Sequence, residues 1–551
     1  MQKKQTILVV ASLLVVVLSV TLAYFTAQII GKGKDVTINS ADLKIIFTDS
    51  DGSISGSNIE PGKWDVTKTF TIENKSNETY KYNIVIQDLV NTFVTEGYLQ
   101  YKITSTNGGY NMTEFKEVPK SSAPKDTILA YSVSIPVKVT QSYTVEFKYA
   151  NDESVDQSDD MGKKLSGKLF ITEGTEEPVT LLSQILKDNP TRDTRDTYDA
   201  VFTNNTTGTL FTATEKNVHN TTDTTVYYYA GNTTKNWVKF GTFASDGPVR
   251  GYSSTTDTSY KEYTTLEECN SASYYNTNCS YPWRKGDPMY WRIIRTNSDG
   301  SVRLLYAGTS PDTTEGYIGR SAFNTTRNSP KYVGYMYGEN DDTLVNARTN
   351  TNNSTIKTYI DNWYASNMTS YTKYLSTTAV YCNDRNLRSD NKYTTGTSSL
   401  FYYAPNARGN TNNPPTYDCT EANDAFSVDN TNAKLTYPIA LMTSDEIMRA
   451  GGKKKTNLTS PYAWYYNNSA NENIIGSTWW YLLSPFSCDI SRAVVFYVSS
   501  SRSPGQLYWD YVDRDSAGAR PAISLKSCTL YSTGDGSATN PYTIKETETG
   551  C

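Results

Sequence analysis

The chain has 551 residues, of which 37% are hydrophobic, 20% charged and 13% aromatic, with 44 Tyr, 16 Phe and 9 Trp. That is enough apolar surface for sizeable cores, so full disorder is excluded, and at ~150 residues per domain the length fits three to four domains. The formal net charge of −5 argues against a nucleic-acid-binding face, and a lone histidine, His219, excludes HExxH zinc sites and two-His metal centres. His219 sits in an Asn/Thr-rich stretch with no motif around it and reads as an exposed bystander.

Residues 1–27 (MQKKQTILVVASLLVVVLSVTLAYFTA) place Lys3 and Lys4 ahead of an uncharged, mostly apolar run from Thr6 to Phe25. Thr21 and Ala23 fit the small-residue positions of a signal peptidase site, which favours cleavage after Ala23. The run of ~20 residues is also long enough to stay as an uncleaved anchor. Under either reading the positive flank stays inside and the rest is exported. The expected location is therefore extracellular or on the cell surface, with membrane contact confined to this segment.

Residues 28–173 read as short strands with period-2 alternation: 36–38, 43–47, 64–73, 80–86, 98–104, 128–139, 143–149 and 165–171. Val66, Phe70 and Ile72 share one strand face. Polar turns separate the runs, at Asp49 to Gly52 and at Asn74 to Glu78. Short alternating strands at this spacing predict an antiparallel β-sandwich. The leader ending in Thr21-Leu22-Ala23-Tyr24-Phe25-Thr26, then Ile59-Glu60-Pro61-Gly62 and Phe70-Thr71-Ile72-Glu73-Asn74, resemble the camelysin/TasA-type exported proteins over residues 1–173. The resemblance implies a sandwich domain of cell-surface and matrix-fibre proteins. Camelysin is classed as a metallopeptidase, but with no HExxH and no second histidine that activity does not transfer.

Residues 174–225 read as a linker with one short helix. Thr172 to Pro178 is acidic and turn-rich, Val179 to Lys187 carries Leu181, Leu182, Ile185 and Leu186 on one helical face, and ~190–225 is Thr/Asn/Asp-rich loop. Residues 226–551 read as an α+β domain. Tyr290–Arg295 and Val302–Tyr306 flank Asn297-Ser298-Asp299-Gly300, a β-hairpin signature. Ile356, Tyr359, Ile360 and Trp363 predict a helix from Ser354 to Met368. Thr443-Ser444-Asp445-Glu446 is a capping box opening a helix that Gly451-Gly452 ends. Trp479 to Ser484, Ala493 to Ser499 and Arg520 to Leu525 read as strand segments. The fold class expected for the whole chain is thus mainly β, with an α+β C-terminal part.

All seven cysteines lie from Cys269 onward, and export permits disulfides. Cys269 and Cys279 flank a short loop, Cys382 and Cys419 a longer Gly/Pro/Asn-rich excursion, and Cys528 and Cys551 the C-terminal tail. Spacing alone does not fix connectivity. These pairs leave Cys488 odd, and it reads as a disulfide partner or an inert thiol.

Tyr290–Arg295 (YWRIIR), Leu435–Ile447 (LTYPIALMTSDEI), Trp479-Trp480, Ser484-Pro485 and Gly518-Ala519-Arg520-Pro521-Ala522 resemble a family of exported proteins of low-GC gut bacteria over about 180–546. The end of this stretch is similar to C-type-lectin-like domains related to the formylglycine-generating enzyme fold. The variable proteins of diversity-generating retroelements share that fold. The resemblance implies that the segment before Gly518-Ala519-Arg520-Pro521, Ser499 to Ala517, faces a ligand.

Within that segment Tyr508, Trp509, Asp510, Tyr511, Asp513, Arg514 and Asp515 crowd together. Tyr and Trp supply rigid amphipathic contact area, and Arg and Asp add directional hydrogen bonds. Read as a strand, Tyr508, Asp510, Val512 and Arg514 share one face and Trp509, Tyr511, Asp513 and Asp515 the other. The plainer reading is an edge strand packed on Trp479 and Trp480. Arg520 reads as structural, in a buried ion pair or on backbone carbonyls. Asn340, Asp341 and Asp342, and likewise Asp510, Asp513 and Asp515, follow no EF-hand spacing, so no metal and no cofactor is expected. The expected function is non-catalytic binding of a protein or glycan on a host, phage or neighbouring cell, with no nucleic-acid partner. A matrix protein self-assembling through β-edges and a secreted enzyme are the alternatives.

Overall fold

The computed structural model describes residues 36–37, 43–47, 52–56, 59–255, 259–396, 398–467 and 478–551. The leader over 1–27 and the turn residues Asp49 to Asp51 lie outside the described residues. The protein is mainly β, with 38% strand and 11% helix. It divides into two compact units, Met1–Glu177 and Pro178–Cys551, and the boundary falls inside the acidic TEGTEEP stretch.

The first unit holds ten strands among its described residues: β1 (Val36–Thr37), β2 (Leu43–Phe47), β3 (Ser53–Gly56), β4 (Asp65–Asn74), β5 (Tyr80–Asn91), β6 (Leu99–Ser105), β7 (Lys116–Glu117), β8 (Ser121–Ile135), β9 (Thr140–Tyr149) and β10 (Leu165–Glu173). They form two antiparallel sheets, ordered β1-β2-β4-β9-β6-β7 and β3-β10-β5-β8. Side chains alternate across each strand, so β4 buries Phe70 and Ile72 while Thr71 and Glu73 stay partly open. Phe70, Ile72, Ile103 and Val145 of one sheet share a core with Ile84, Ile86, Ile135 and Leu169 of the other. Each such side chain, fully buried, contributes ~1.5–3 kcal/mol. A polar pin crosses this core: the Tyr82 hydroxyl of β5 lies 2.6 Å from Gln141 Oε1 and 2.5 Å from the Tyr143 hydroxyl, both on β9.

The elements of the second unit that position the site are α1 (Leu181–Asp188), β11 (Leu210–Glu215), β12 (Thr224–Tyr229), β13 (Trp237–Thr242), β14 (Pro288–Thr296), β15 (Val302–Gly308), α2 (Thr355–Asn367), β16 (Ile439–Leu441), α3 (Ser444–Arg449), β17 (Trp480–Asp489), β18 (Arg492–Val498), β19 (Leu507–Tyr511) and β20 (Pro521–Leu525). The β14–β15 hairpin forms about the Asp299-Gly300 turn, with Gly300 at φ +75°, a value glycine adopts without strain. β14 pairs with β12 and β13, β15 pairs with β20, and β20 pairs with β16. α1 begins at Leu181, two residues later than expected, because the Thr180 side chain caps the Ser183 N–H at 3.1 Å. The Thr/Asn-rich stretch expected as loop contains β11, which pairs with β12 and buries Leu210, Phe211 and Glu215. Its two adjacent apolar residues are too short a run to show as periodicity. Disulfides join Cys269 to Cys279, Cys382 to Cys419 and Cys528 to Cys551, with Cα separations of 6.0, 5.8 and 5.2 Å.

A buried ion network ties these elements together. The capping box of α3 is complete: Thr443 Oγ1 accepts from the Glu446 N–H at 3.1 Å, and Glu446 Oε2 accepts from the Thr443 N–H at 2.9 Å. The other oxygen of Glu446 accepts from Arg295 Nε at 3.0 Å and from Arg303 Nη1 at 2.8 Å. Arg295 Nη1 also donates to Glu215 Oε2 at 2.9 Å. All four side chains are at most 3% exposed. Burial acts to raise the Glu446 carboxyl, yet Arg303 and Arg295 hold it below its ordinary range.

Glu446→Gln leaves these two guanidiniums short of a counter-charge. The expected loss is ~3–5 kcal/mol at neutral pH, read by urea unfolding of the full chain. Because the folded carboxyl is depressed, its stabilisation is complete above the unfolded glutamate range of ~4.3 and disappears as pH falls through the lower folded value. The variant therefore flattens the acid limb of the stability curve. Equal stability of variant and parent at neutral pH would contradict the network's role.

Candidate functional site

β17 and β18 form a hairpin, and β19 adds to the free side of β18 in antiparallel register, with Phe496 opposite Trp509 and Tyr497 opposite Tyr508. β17 is buried throughout, whereas Tyr508, Trp509, Asp510 and Tyr511 of β19 are half-buried. Trp509 lies in a three-ring stack, 4.0 Å from Phe486 and 4.4 Å from Tyr508, each at an interplanar angle of 11°. Phe486 meets the buried Phe496 edge-on at 5.1 Å and Tyr402 at 5.8 Å. The stack thus runs from core to surface. Phe486 of the stack and Tyr402 beside it come from parts of the sequence distant from β19.

The expected packing of this strand on Trp479 and Trp480 is indirect. Trp479 contacts Tyr497 at 4.8 Å, and Tyr497 in turn contacts Tyr508 at 6.0 Å. Trp480 is fully buried beneath the Arg520 guanidinium, 4.6 Å away. Arg520 makes no ion pair among the described residues. Its Nη1 donates to the Tyr465 carbonyl at 2.9 Å and its Nη2 to the Tyr306 carbonyl at 3.1 Å, so carbonyl binding is the reading that holds. Burial without a carboxylate pushes its pKa down.

The strand stops earlier than the alternation to Asp515 anticipated. Asp510 Oδ1 accepts the Tyr511 N–H at 2.7 Å, and the Tyr481 hydroxyl donates to the Tyr511 carbonyl. Val512 is buried, its N–H donating to the Ala493 carbonyl at 3.1 Å. Asp513, Arg514 and Asp515 lie beyond the end of β19, so they do not continue its two faces. Asp513 pairs with Arg327 at 3.5 Å, and Arg514 lies 3.5 Å from Asp510. At the other end of β19, Leu507 donates to the Lys453 carbonyl at 3.3 Å and accepts from the Lys455 N–H at 3.1 Å. Both ends of the outer edge are closed, so β19 exposes side chains more than backbone.

An open groove of about 310 Å³ runs along this strand, lined by Leu400, Tyr402, Phe486, Ser487, Arg492, Val494, Trp509, Asp510 and Tyr511. Arg492 is held by Asp489, with Nε 2.6 Å from Oδ2. On the other side a cavity of about 590 Å³ is lined by Arg320, Trp479, Tyr497, Arg502, Asp510, Arg514 and five serines among others. Sequence reading found the β19 residues but missed Tyr402, Phe486, Arg492 and Arg327, whose proximity depends on the hairpin and on strand addition. No group of three or more His, Cys, Asp or Glu side chains is placed to hold a metal among the described residues. His219 is exposed, with Nε2 2.8 Å from Ser427 Oγ.

No protein-family model matches the chain, and no curated protein matches it. Among solved structures, one described as "AvmM Catalyzes Macrocyclization in Alchivemycin A Biosynthesis" aligns with 28% of this chain and 100% of its own, at 11% identity and a TM-score of 0.14. Another, "Crystal Structure of Class 5 Fimbriae Chaperone CfaA", aligns with 46% of this chain and 91% of its own, at 10% identity and a TM-score of 0.08. Likenesses this slight carry no argument about fold or function.

Cys488 is the free thiol, buried in β17, and burial pushes its pKa up. Thiolates are the reactive form, so iodoacetamide is expected to label Cys488 only in denaturant. Peptide mapping without reduction should recover the three bridges named above. Rapid labelling of Cys488 in the native chain would contradict its place in the core.

Proposed function

We propose that the chain is an exported bacterial surface protein whose C-terminal domain recognises a protein or glycan ligand without turning it over. In this reading the first unit is a β-sandwich domain and the second a C-type-lectin-like domain. The observation that carries it is the half-buried aromatic stack of β19 beside an open groove. Rings fixed by stacking lose little freedom on binding, which favours affinity. Three disulfides are compatible with an exported chain. Among the described residues Asp510 is the single carboxylate lining the groove, and carboxylate-based glycoside hydrolysis needs a pair.

The test is capture by the purified full chain on a panel of immobilised glycans and surface proteins. Trp509→Ala removes the stack on Phe486 and is expected to destabilise the fold by ~1–3 kcal/mol, so it is not diagnostic. Tyr508→Ala combined with Asp510→Asn is the informative variant. It is expected to lose capture while its melting temperature stays within ~3 °C of the parent. Undiminished capture by that variant rejects this surface.

A further inference from the structure

We propose that the ligand read by β19 is an acidic polysaccharide, one bearing carboxylate or sulfate groups. The inference rests on the binding role proposed above and adds the ligand class. The chain carries a net charge of −5, yet cations gather at this strand. The Lys455 ammonium lies 4.9 Å over the Trp509 ring, and the guanidiniums of Arg327 and Arg514 lie 4.2 and 5.4 Å over Tyr511. Among the described residues that line the neighbouring cavity of about 590 Å³ are Arg320, Arg502, Arg514 and one carboxylate, Asp510. Arg502 is exposed and makes no ion pair among the described residues, and Arg514 reaches Asp510 only at 3.5 Å.

Each part of this arrangement matches one part of a charged sugar. Guanidinium forks pair with planar carboxylate and with sulfate oxygens. The hydroxyls of Ser499, Ser500, Ser503 and Ser516 line the same cavity and both donate and accept, as sugar hydroxyls require. Trp479 and Tyr497 supply ring faces for the apolar side of a sugar. An acidic peptide would satisfy the charge, but adding it as a strand needs an open edge, and that of β19 is closed at Leu507 and at Tyr511.

The experiment measures binding of the purified full chain to matched polymers: polygalacturonate against its methyl ester, and dextran sulfate against dextran. Single-stranded DNA serves as a polyanion without a saccharide-acid chemistry of this kind. At least one acidic polymer is expected to bind ~10-fold or more tightly than its neutral partner, with an affinity that falls as salt rises. The double substitution Arg502→Gln and Arg514→Gln is expected to remove most of that preference. Both side chains are exposed, so the melting temperature should hold. Arg284→Gln, at an exposed arginine paired with Asp246 elsewhere in the unit, should change nothing. Equal binding of acidic and neutral polymers overturns the charge inference, and DNA binding as tight as dextran sulfate overturns the saccharide class. Capture of a different ligand through Tyr508 and Asp510, with no polysaccharide bound, overturns this inference alone. Loss of all capture across every probe removes the binding role beneath it as well.

Discussion

The second unit is organised around one buried carboxylate. Glu446 closes the first turn of α3 with one oxygen and neutralises Arg295 and Arg303 with the other. Those arginines sit on β14 and β15, the two strands of the central hairpin, and Arg295 extends the link to Glu215 on β11. A helix start, a hairpin and a further strand of the sheet are thereby fixed by a single group whose removal from water is expensive unless every partner is in place. The consequence reaches the site. Just before α3 the Met442 carbonyl accepts the Leu483 N–H at 2.9 Å, and the Ser444 N–H donates to Ser484 Oγ at 2.9 Å. Both partners belong to β17, the strand on which β18 and then β19 are built.

Two other buried arginines use a different solution. Arg292 donates to Asn236 Oδ1 at 2.6 Å and to the carbonyls of Thr233 and Asn467 at 3.0 and 3.1 Å, over the Trp237 ring at 4.3 Å. Arg520 is held the same way by carbonyls and Trp480. Burial and the neighbouring Arg520 charge push the Arg292 pKa down. A guanidinium without a carboxylate is tolerable where carbonyl dipoles and aromatic faces replace water around it. Both residues belong to motifs legible in the chain, YWRIIR and the Gly518-to-Ala522 run. The motifs therefore mark places where backbone carbonyls from separate segments converge on one cation.

This separates what was legible from what was not. Elements carrying their own local signals emerged close to their true bounds. The hairpin turn at Asp299-Gly300 is one case. The helix capped by Ser354 is another, with Ile356, Ile360 and Trp363 buried as its period required. β11 was missed because its burial comes from pairing with β12 and from Arg295, not from its own pattern. The end of β19 was misjudged because alternation continues past Tyr511, while the Asp510 side chain takes up the amide a longer strand would use. The rings Phe486 and Tyr402 were invisible for a related reason. Phe486 lies in a wholly buried strand, and Tyr402 reaches it through the pairing of Phe401–Tyr402 with β17.

The outer edge of β19 is closed at both ends. An edge strand usually exposes backbone groups that invite another strand. Here Lys453 and Lys455 occupy one end and Asp510 and Tyr481 the other, so the edge resists strand addition. What remains accessible is a row of rings braced from beneath by Phe486 and Phe496. Because that bracing comes from the hydrophobic core, the side-chain entropy of Trp509 is already lost on folding. The cations over Trp509 and Tyr511 are in turn poised on fixed platforms. Substitution at Phe486 or Trp509 would therefore strike the core itself, whereas Arg514 and Asp515 stand exposed beyond the end of β19.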